Sequence, residues 1–275
     1  MLDFGLKDKV VCVTGGASGI GRAAVLALAR DGAKVAVLDL KQADIDVVVT
    51  EAESLGAEVV GEVLDVQDAD AANTVVASIE RRLGPIDGLI ASAGISGAGK
   101  AEALPLGEWA QVLGVNATGM LITCQAVGTR MIARGEGAIV AIGSIDGISG
   151  HPGRAHYAAS KFAVTGLVKN LALEWGRHGV RVNCIAPNLV DTPLLRRGMP
   201  PVFLNEVVID RTPMGRIAWP EEIASAALML LSDASAYITG VVLPVDGGLS
   251  AGFFTHRQGA DLSSTRLLEA GVYAE

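Results

Sequence analysis

Short apolar segments alternate with longer amphipathic segments along the chain. Runs rich in β-branched residues predict seven β-strands, at residues 10–14, 34–39, 58–64, 86–91, 137–143, 180–186 and 241–245. Between these strands apolar residues recur every three to four positions, which predicts helices. One helix follows the second strand and ends at about residue 55, and the others lie at 20–30, 69–83, 108–134, 155–177 and 220–231. The alternation predicts an α/β fold in which right-handed crossovers build a parallel sheet covered by helices on both faces.

Two segments interrupt this rhythm. Residues 190–218 form a long stretch with four prolines and a weak helical pattern, and so long a loop inside a compact domain is usually functional. No change in composition marks a linker, so we expect residues 1–252 to be a single catalytic domain that binds a dinucleotide. Residues 253–275 are then a C-terminal tail.

Composition narrows the class of protein. The chain has 275 residues, half of them hydrophobic, so it can bury a large core and is not intrinsically disordered. Lys and Arg number 22 against 30 Asp and Glu, and the net charge of −8 argues against nucleic acid or an anionic membrane as a partner. Four His residues lack metal-ligand spacing, and no metal site is expected.

Three isolated cysteines, Cys12, Cys124 and Cys184, exclude a disulfide framework. The N-terminus carries charges from Lys7 to Lys9, where a signal peptide would be apolar. No apolar run was expected to reach the roughly 18 residues that a membrane helix needs. We therefore expect a cytoplasmic protein.

A glycine-rich segment, TGGASGIG at residues 14–21, joins the first strand to the first helix. Glycines here permit a tight turn and let backbone N–H groups approach a pyrophosphate at the helix N-terminus. The candidate contacts are Gly15, Ser18, Gly19, Ile20 and Gly21. The spacing is GxxxGxG, and its position after a strand and before a helix predicts a dinucleotide site.

Asp39 ends the second strand, where a carboxylate can accept both hydroxyls of the adenosine ribose and would repel a 2′-phosphate. The next residue, Leu40, offers no positive charge, although Lys41 is close in sequence. The pattern favours NAD over NADP. Asp65 and Val66 follow the third strand at the same edge and are candidates for contact with the adenine, but Asp65 is equally typical of a turn or helix cap.

The most specific set of candidate catalytic residues is Ser144, Tyr157 and Lys161. Tyr157 and Lys161 lie four residues apart on one helical face, and Ser144 follows the fifth strand at the edge where open α/β sheets bind ligands. A free phenol has a pKa of about 10. Acid–base chemistry near neutral pH therefore requires a neighbouring cation that stabilises the phenolate, and a lysine ammonium and an oxidised nicotinamide ring can both act in this way.

The chain resembles the short-chain dehydrogenase/reductase family over about residues 7–252. The matching residues are TGGASGIG at 14–21, Asp39, Asp65 with Val66, Ala93 with Gly94, Asn116, Ser144, YAASK at 157–161, Pro187, Thr192 and VDGG at 245–248. The resemblance implies a Rossmann-like, doubly wound sheet of seven parallel strands in a single domain. It also implies interconversion of a secondary alcohol and its ketone with a nicotinamide cofactor.

The resemblance also implies residue roles. Tyr157 is the general acid/base, Lys161 stabilises its phenolate and holds the nicotinamide ribose, and Ser144 hydrogen-bonds the substrate oxygen. Asn116 holds a water that continues the proton relay. The implied cofactor contacts further include Ala93, Gly94, Pro187, Val190 and Thr192.

Two departures from the family pattern stand out. The usual NNAG reads ASAG at residues 91–94, which predicts a local change in packing without loss of the cofactor. Asn188 replaces the usual glycine after Pro187, where we expect it to tolerate a left-handed backbone. His156 is interpreted as a wall or supporting residue, because neighbouring helical side chains point about 100° apart, and His151 as a pocket residue.

Alternative functions remain open at this stage. Enoyl reductases of the family place Tyr and Lys seven residues apart, which the four-residue step disfavours. An NADP-dependent 3-oxoacyl-type ketoreductase stays possible, although Asp39 and the negative charge count against it. A dinucleotide-sensing protein without turnover would not need the intact Ser144, Tyr157 and Lys161 set.

The predicted substrate is a small alcohol or ketone. The apolar residues of the 190–218 loop favour an apolar or mixed molecule, and they are Leu194, Leu195, Met199, Val202, Phe203 and Leu204. The polar residues of the same loop leave sugar alcohols open as substrates, and they are Arg196, Arg197 and Asn205. Family members pair helices equivalent to 108–134 and 155–177 between subunits. By resemblance, we expect a homotetramer.

Overall fold

The computed structural model describes residues 4–198, 202, 204 and 208–252. Its seven strands form one parallel sheet, and its main helices connect them. The strands are β1 (Val10–Thr14), β2 (Lys34–Asp39), β3 (Val59–Val63), β4 (Ile86–Ala91), β5 (Gly137–Ile142), β6 (Val180–Pro187) and β7 (Val242–Val245). The helices are α1 (Gly19–Arg30), α2 (Gln42–Ser54), α3 (Ala69–Leu83), α4 (Leu106–Leu113), α5 (Gly119–Arg134), α6 (Ala155–Trp175), α7 (Pro193–Gly198) and α8 (Pro220–Leu231).

The strand order is β3-β2-β1-β4-β5-β6-β7, with every pairing parallel. The predicted Rossmann-like, doubly wound, single-domain fold is confirmed. The order reverses between β1 and β4, and open α/β sheets bind ligands in the crevice at such a switch point. The glycine loop after β1, Asp39 on β2 and Ser144 after β5 all lie at this carboxyl edge.

Two apolar layers cover the sheet. Alternate side chains of β1 enter opposite layers, so that Val11 and Val13 pack with α1, α2 and α8, and Val10 and Cys12 pack with α3, α5 and α6. All three cysteines are free and buried. Burial raises the pKa of Cys12 far above its usual range, that of Cys124 to about 12 and that of Cys184 to about 11.

The predicted helix at 108–134 is two helices separated by a π-helical turn at Gly114–Thr118. The N–H of Gly119 donates to the carbonyl of Gly114, five residues back, so one extra residue is fitted into the turn. Apolar periodicity continues through this turn, and the pattern alone could not reveal it.

The helical stretch Leu106–Arg134 contains an 18-residue window with a mean hydropathy of 1.2, enough by length and composition for a membrane span. The expectation that no apolar segment is long enough was therefore wrong. Half of that window is buried inside the protein, and Met120, Cys124 and Val127 pack against the sheet. A core helix passes the same test of length and hydropathy.

The two ends of the segment 190–218 lie side by side. Val190 and Ala218 form an isolated parallel bridge at its base, and α7 and a short helical turn at Ile209–Arg211 lie between them. Leu194 and Val202 are exposed. The predicted pocket residues Met199, Phe203 and Asn205, and the predicted tail 253–275, lie outside the described residues.

Candidate active site

The glycine loop packs so closely on its neighbours that side chains are excluded. A Cβ on Gly15, where φ is +63°, would lie 2.9 Å from the Cα of Ala93, and a Cβ on Gly21 would collide with the carbonyl oxygen of Gly15. The first turn of α1 contains no acidic residue, and Ser18 makes no side-chain cap. The helix thus presents its positive end without a protein anion, which fits a pyrophosphate.

Asp39 directs its carboxylate at the glycine loop. One oxygen accepts the N–H of Ala17 at 3.0 Å and the other accepts the N–H of Leu40 at 2.7 Å. The nearby basic Arg22 forms an ion pair with Glu51. A negative charge therefore lies beside the loop, where it suits the hydroxyls of the adenosine ribose and opposes a 2′-phosphate on that ribose.

A buried threonine joins the first and fourth strands at this edge. The hydroxyl of Thr14 accepts the backbone N–H groups of Ser92 at 3.2 Å and of Ala93 at 3.3 Å. These bonds hold the ASAG segment against the glycine loop, although both family asparagines are missing. Thr14 was quoted within the motif, but sequence reasoning gave it no role of its own.

Asn116 lies in the π-helical turn, and its amide fastens the segment that follows β4. Its Oδ1 accepts the N–H of Ile95 at 2.8 Å, and its Nδ2 donates to the carbonyl of Ile95 and to Oγ of Ser160, both at 2.9 Å. Ser160 in turn donates to the carbonyl of Tyr157 at 2.7 Å. Asn116 thus connects the turn, the β4 loop and the helix that carries Tyr157.

Lys161 is buried, and its ammonium donates to the carbonyl of Ile142, the last residue of β5, at 2.9 Å. The same nitrogen lies 5.6 Å from the centroid of the Tyr157 ring. A Cβ on Gly94 would lie 3.7 Å from it, so the backbone of Gly94 borders the ammonium. This arrangement places a positive charge beside the ring of Tyr157.

Ser144 caps the short 3₁₀ turn Ile145–Gly147 after β5. Its Oγ accepts the N–H of Asp146 at 3.1 Å, which orients the hydroxyl and leaves its hydrogen able to bind a substrate oxygen. The absence of a side chain at Gly147 lets this turn pack directly on α6, because a Cβ there would lie 2.7 Å from the carbonyl oxygen of Lys161. The fold therefore brings the serine turn against the helix that carries Tyr157 and Lys161.

The remaining predicted contacts lie along the carboxyl edge of the sheet. Val190 and Thr192 are buried, and Thr192 packs against Gly19, whose Cβ would lie 3.2 Å from the threonine methyl group. Pro187 ends β6 at the same edge. Val66 is buried, whereas the carboxylate of exposed Asp65 accepts the N–H of Gln67 at 2.9 Å and so stabilises a turn.

Asn188 does not adopt the left-handed backbone that its position suggested. Among the described non-glycine residues only Asp8 has a positive φ. The amide of Asn188 instead donates to Oγ1 of Thr212 at 3.1 Å, so it ties the loop after β6 to the far end of the 190–218 segment. A side-chain bond thus replaces the backbone freedom of glycine.

No group of three or more His, Cys, Asp or Glu that could hold a metal occurs within the described part of the chain. His156 is fully buried beside Gly97, which has no room for a side chain. His151 lies 3.5 Å from Asp146.

The chain is similar to known proteins over most of its length. A family model described as enoyl-(acyl carrier protein) reductase matches residues 15–250. The 3-oxoacyl-[acyl-carrier-protein] reductase of Thermotoga maritima is 39% identical over 89% of this chain and 98% of its own. The galactitol 2-dehydrogenase (L-tagatose-forming) of Cereibacter sphaeroides is 43% identical over 89% and 96%.

A solved structure from Beutenbergia cavernae, described as an NAD(P)-dependent gluconate 5-dehydrogenase with NADP bound at low occupancy, aligns with a TM-score of 0.85. It is 36% identical and covers 91% of this chain and all of its own. The chain belongs to the short-chain dehydrogenase/reductase family. It is an oxidoreductase of CH–OH groups that uses a nicotinamide dinucleotide.

Replacing Asn116 with alanine should destabilise the protein, because it removes three hydrogen bonds and leaves the N–H and carbonyl of Ile95 without partners. We expect the free energy of unfolding to fall by about 2–4 kcal/mol in urea titrations. The matched control is Asn73→Ala, which removes an exposed amide bonded only to the carbonyl of Ala69 on α3. A loss no larger for Asn116→Ala than for Asn73→Ala would contradict the fastening role.

Proposed function

We propose that this protein is an NAD-dependent dehydrogenase/reductase that interconverts a secondary alcohol and its ketone. The observation that carries this proposal is the convergence of the Ser144 turn and the Tyr157–Lys161 face of α6 beside the glycine loop. Two hydroxyl groups and one ammonium at this edge suit an oxygen that gains or loses a proton during reaction. We propose that residues 190–218 cover the substrate.

Each protein group has one task in the oxidation. Ionised Tyr157 removes the proton of the substrate hydroxyl, and Ser144 donates a hydrogen bond to the same oxygen. Lys161 supplies the positive charge that keeps the phenolate stable before the proton moves. A bound nicotinamide supplies the hydride acceptor in oxidation and the hydride donor in reduction.

Asp39 supports NAD over NADP. Its carboxylate is held by two backbone N–H groups next to the glycine loop, so its charge cannot easily turn away from a 2′-phosphate. Arg22 is already paired with Glu51, and Lys41 is exposed at the start of α2. A phosphate placed there would meet a fixed negative charge at short range.

A second candidate is an NADP-dependent 3-oxoacyl-type ketoreductase. It is favoured by the 39% identity to the Thermotoga maritima reductase and by the NADP bound in the Beutenbergia cavernae structure. Asp39 argues against NADP as the cofactor. The net charge of −8 argues against an acidic acyl carrier protein as the partner, because like charges repel. The Ser144, Tyr157 and Lys161 set argues against a sensor that only binds a dinucleotide.

Substitution of Tyr157 by phenylalanine should lower kcat by about 10²–10⁴-fold, because the proton donor is lost while the ring and its packing remain. Binding of the reduced dinucleotide, followed by fluorescence, should change less than about threefold. Tyr237→Phe is the control, since Tyr237 is fully exposed, and it should behave like wild type. Equal loss of turnover and cofactor binding in Tyr157→Phe would contradict the assigned role.

Removal of the carboxylate in Asp39→Ala should reduce the ratio of kcat/KM for NAD to that for NADP by at least about tenfold, because like-charge repulsion of the 2′-phosphate disappears. Asp39→Asn keeps the size of the side chain and isolates the effect of charge. Steady-state kinetics with both cofactors measure the ratio. Faster turnover of NADP than NAD by wild type at equal concentration would show that the argument is wrong.

We also propose a homotetramer built on the faces of α4 and α6. Leu106, Phe162 and Leu173 are large apolar side chains exposed there, and Ala163 and Gly166 on α6 permit close approach of another helix. Sedimentation velocity should show a tetramer for wild type and smaller species for Phe162→Glu. Val47→Glu, at an exposed position on α2, should leave the assembly unchanged. A monomeric wild type would reject the proposal.

A further inference from the structure

A charged cluster lies beside the catalytic hydroxyls. The buried carboxylate of Asp146 has one oxygen 3.5 Å from Nδ1 of His151 and the other 3.8 Å from Nε of Arg154. Asp146 is only 5% exposed. Neither Asp146 nor Arg154 takes part in the proposed proton transfer, and a buried carboxylate is costly unless it is paired or hydrogen-bonded.

The two members of this ion pair belong to the two segments that carry the catalytic hydroxyls. Asp146 follows Ser144 by two residues, and its N–H binds Oγ of Ser144. Arg154 precedes Tyr157 by three residues, and its guanidinium carbon lies 4.4 Å from the centroid of the Tyr157 ring. The pair therefore borders the place where a substrate must contact both Ser144 and Tyr157.

The hydrogen-bonding capacity of this pair is not used up within the protein. Nε of Arg154 is buried and has no hydrogen-bond partner among the described residues. Its 3.8 Å separation from Asp146 exceeds hydrogen-bond length. A buried charged donor without a partner is costly. The Arg154 side chain as a whole is 21% exposed, so a rotation that brings Nε to a ligand oxygen would remove this cost.

A hydroxyl group fits the pair better than an anion. A hydroxyl can accept from Nε of Arg154 and donate to the carboxylate of Asp146 at once. A carboxylate or phosphate would be attracted by the guanidinium but repelled by Asp146. Because the pair is neutral overall, it suits a neutral polar group.

We propose that Asp146 and Arg154 bind a second hydroxyl of the substrate, on the carbon next to the one that reacts. The substrate class is then a vicinal diol, or the matching α-hydroxyketone in the reverse direction. This inference rests on the proposed function and makes its substrate specific.

A matched pair of probes tests the proposal. Butane-2,3-diol and butan-2-ol differ by the one hydroxyl in question, and kcat/KM is measured for both with saturating NAD or NADP. Wild type should prefer the diol by at least about tenfold, as expected for a hydrogen bond to a charged group. Arg154→Met should lose this preference, so that its ratio of kcat/KM for butane-2,3-diol to that for butan-2-ol falls to about one, whatever the substitution does to the turnover that both alcohols share.

Two further variants separate recognition of the second hydroxyl from effects on Tyr157 or on the fold. Arg154→Lys keeps a positive charge near the Tyr157 ring but lacks the Nε donor, so it should also lose most of the preference. Arg82→Met removes an arginine from an ion pair with Glu62 on the opposite flank of the sheet and should match wild type. Equal loss on both alcohols in Arg154→Met would mean that Arg154 only positions Tyr157, and would overturn the proposal.

A binding measurement keeps the two proposals distinguishable. Saturation-transfer NMR compares both probes on the cofactor-loaded Tyr157→Phe variant and on its Arg154→Met double variant. A stronger signal for the diol that disappears in the double variant supports the inference. Equal signals for the two probes overturn it, whatever the kinetics show. Absence of turnover for both probes and their ketones with both cofactors would instead contradict the proposed function.

Discussion

The buried hydrogen bond from the ammonium of Lys161 to the carbonyl of Ile142 is the contact on which the site depends. It joins the last residue of β5 to the middle of α6 across 2.9 Å. Ser144 lies two residues beyond one partner, and Tyr157 lies one helical turn before the other. This contact therefore links the segment that carries Ser144 to the helix that carries Tyr157. A buried charge tolerates few alternative positions, since moving it away from its acceptor would leave it unpaired.

The surrounding fold fixes both partners of that bond. Gly147 lets the serine turn lie directly on the backbone of α6, and Asn116 links α6 through Ser160 to the segment after β4. Thr14 continues the connection to the glycine loop. Buried polar side chains thus connect the glycine loop to α6 through hydrogen bonds. Each of them bonds a backbone group, and a shift of α6 would break these bonds. Burying these polar groups is costly unless each keeps its partner, and we therefore expect rigid geometry here.

Much of this could be predicted from the sequence because the strong signals are local. Apolar β-branched runs placed β1, β2 and β4 at their observed bounds, and the four-residue step of Tyr157 and Lys161 placed both on one helical face. Features that depend on tertiary packing were not predictable. The π-helical turn around Asn116 leaves the apolar periodicity intact, and Asn188 acts through Thr212, which is 24 residues away. The pairing of Asp146 with Arg154 arises only when the turn after β5 meets the start of α6.

A crystal structure of wild type with a nicotinamide dinucleotide and an unreactive analogue of a secondary alcohol would show directly whether Ser144 and Tyr157 act on one oxygen. We expect one analogue oxygen within about 3.2 Å of both Oγ of Ser144 and Oη of Tyr157, with the ammonium of Lys161 still bordering the phenol. An analogue bound elsewhere, or Ser144 and Tyr157 hydroxyl groups that point to different oxygens, would contradict this expectation.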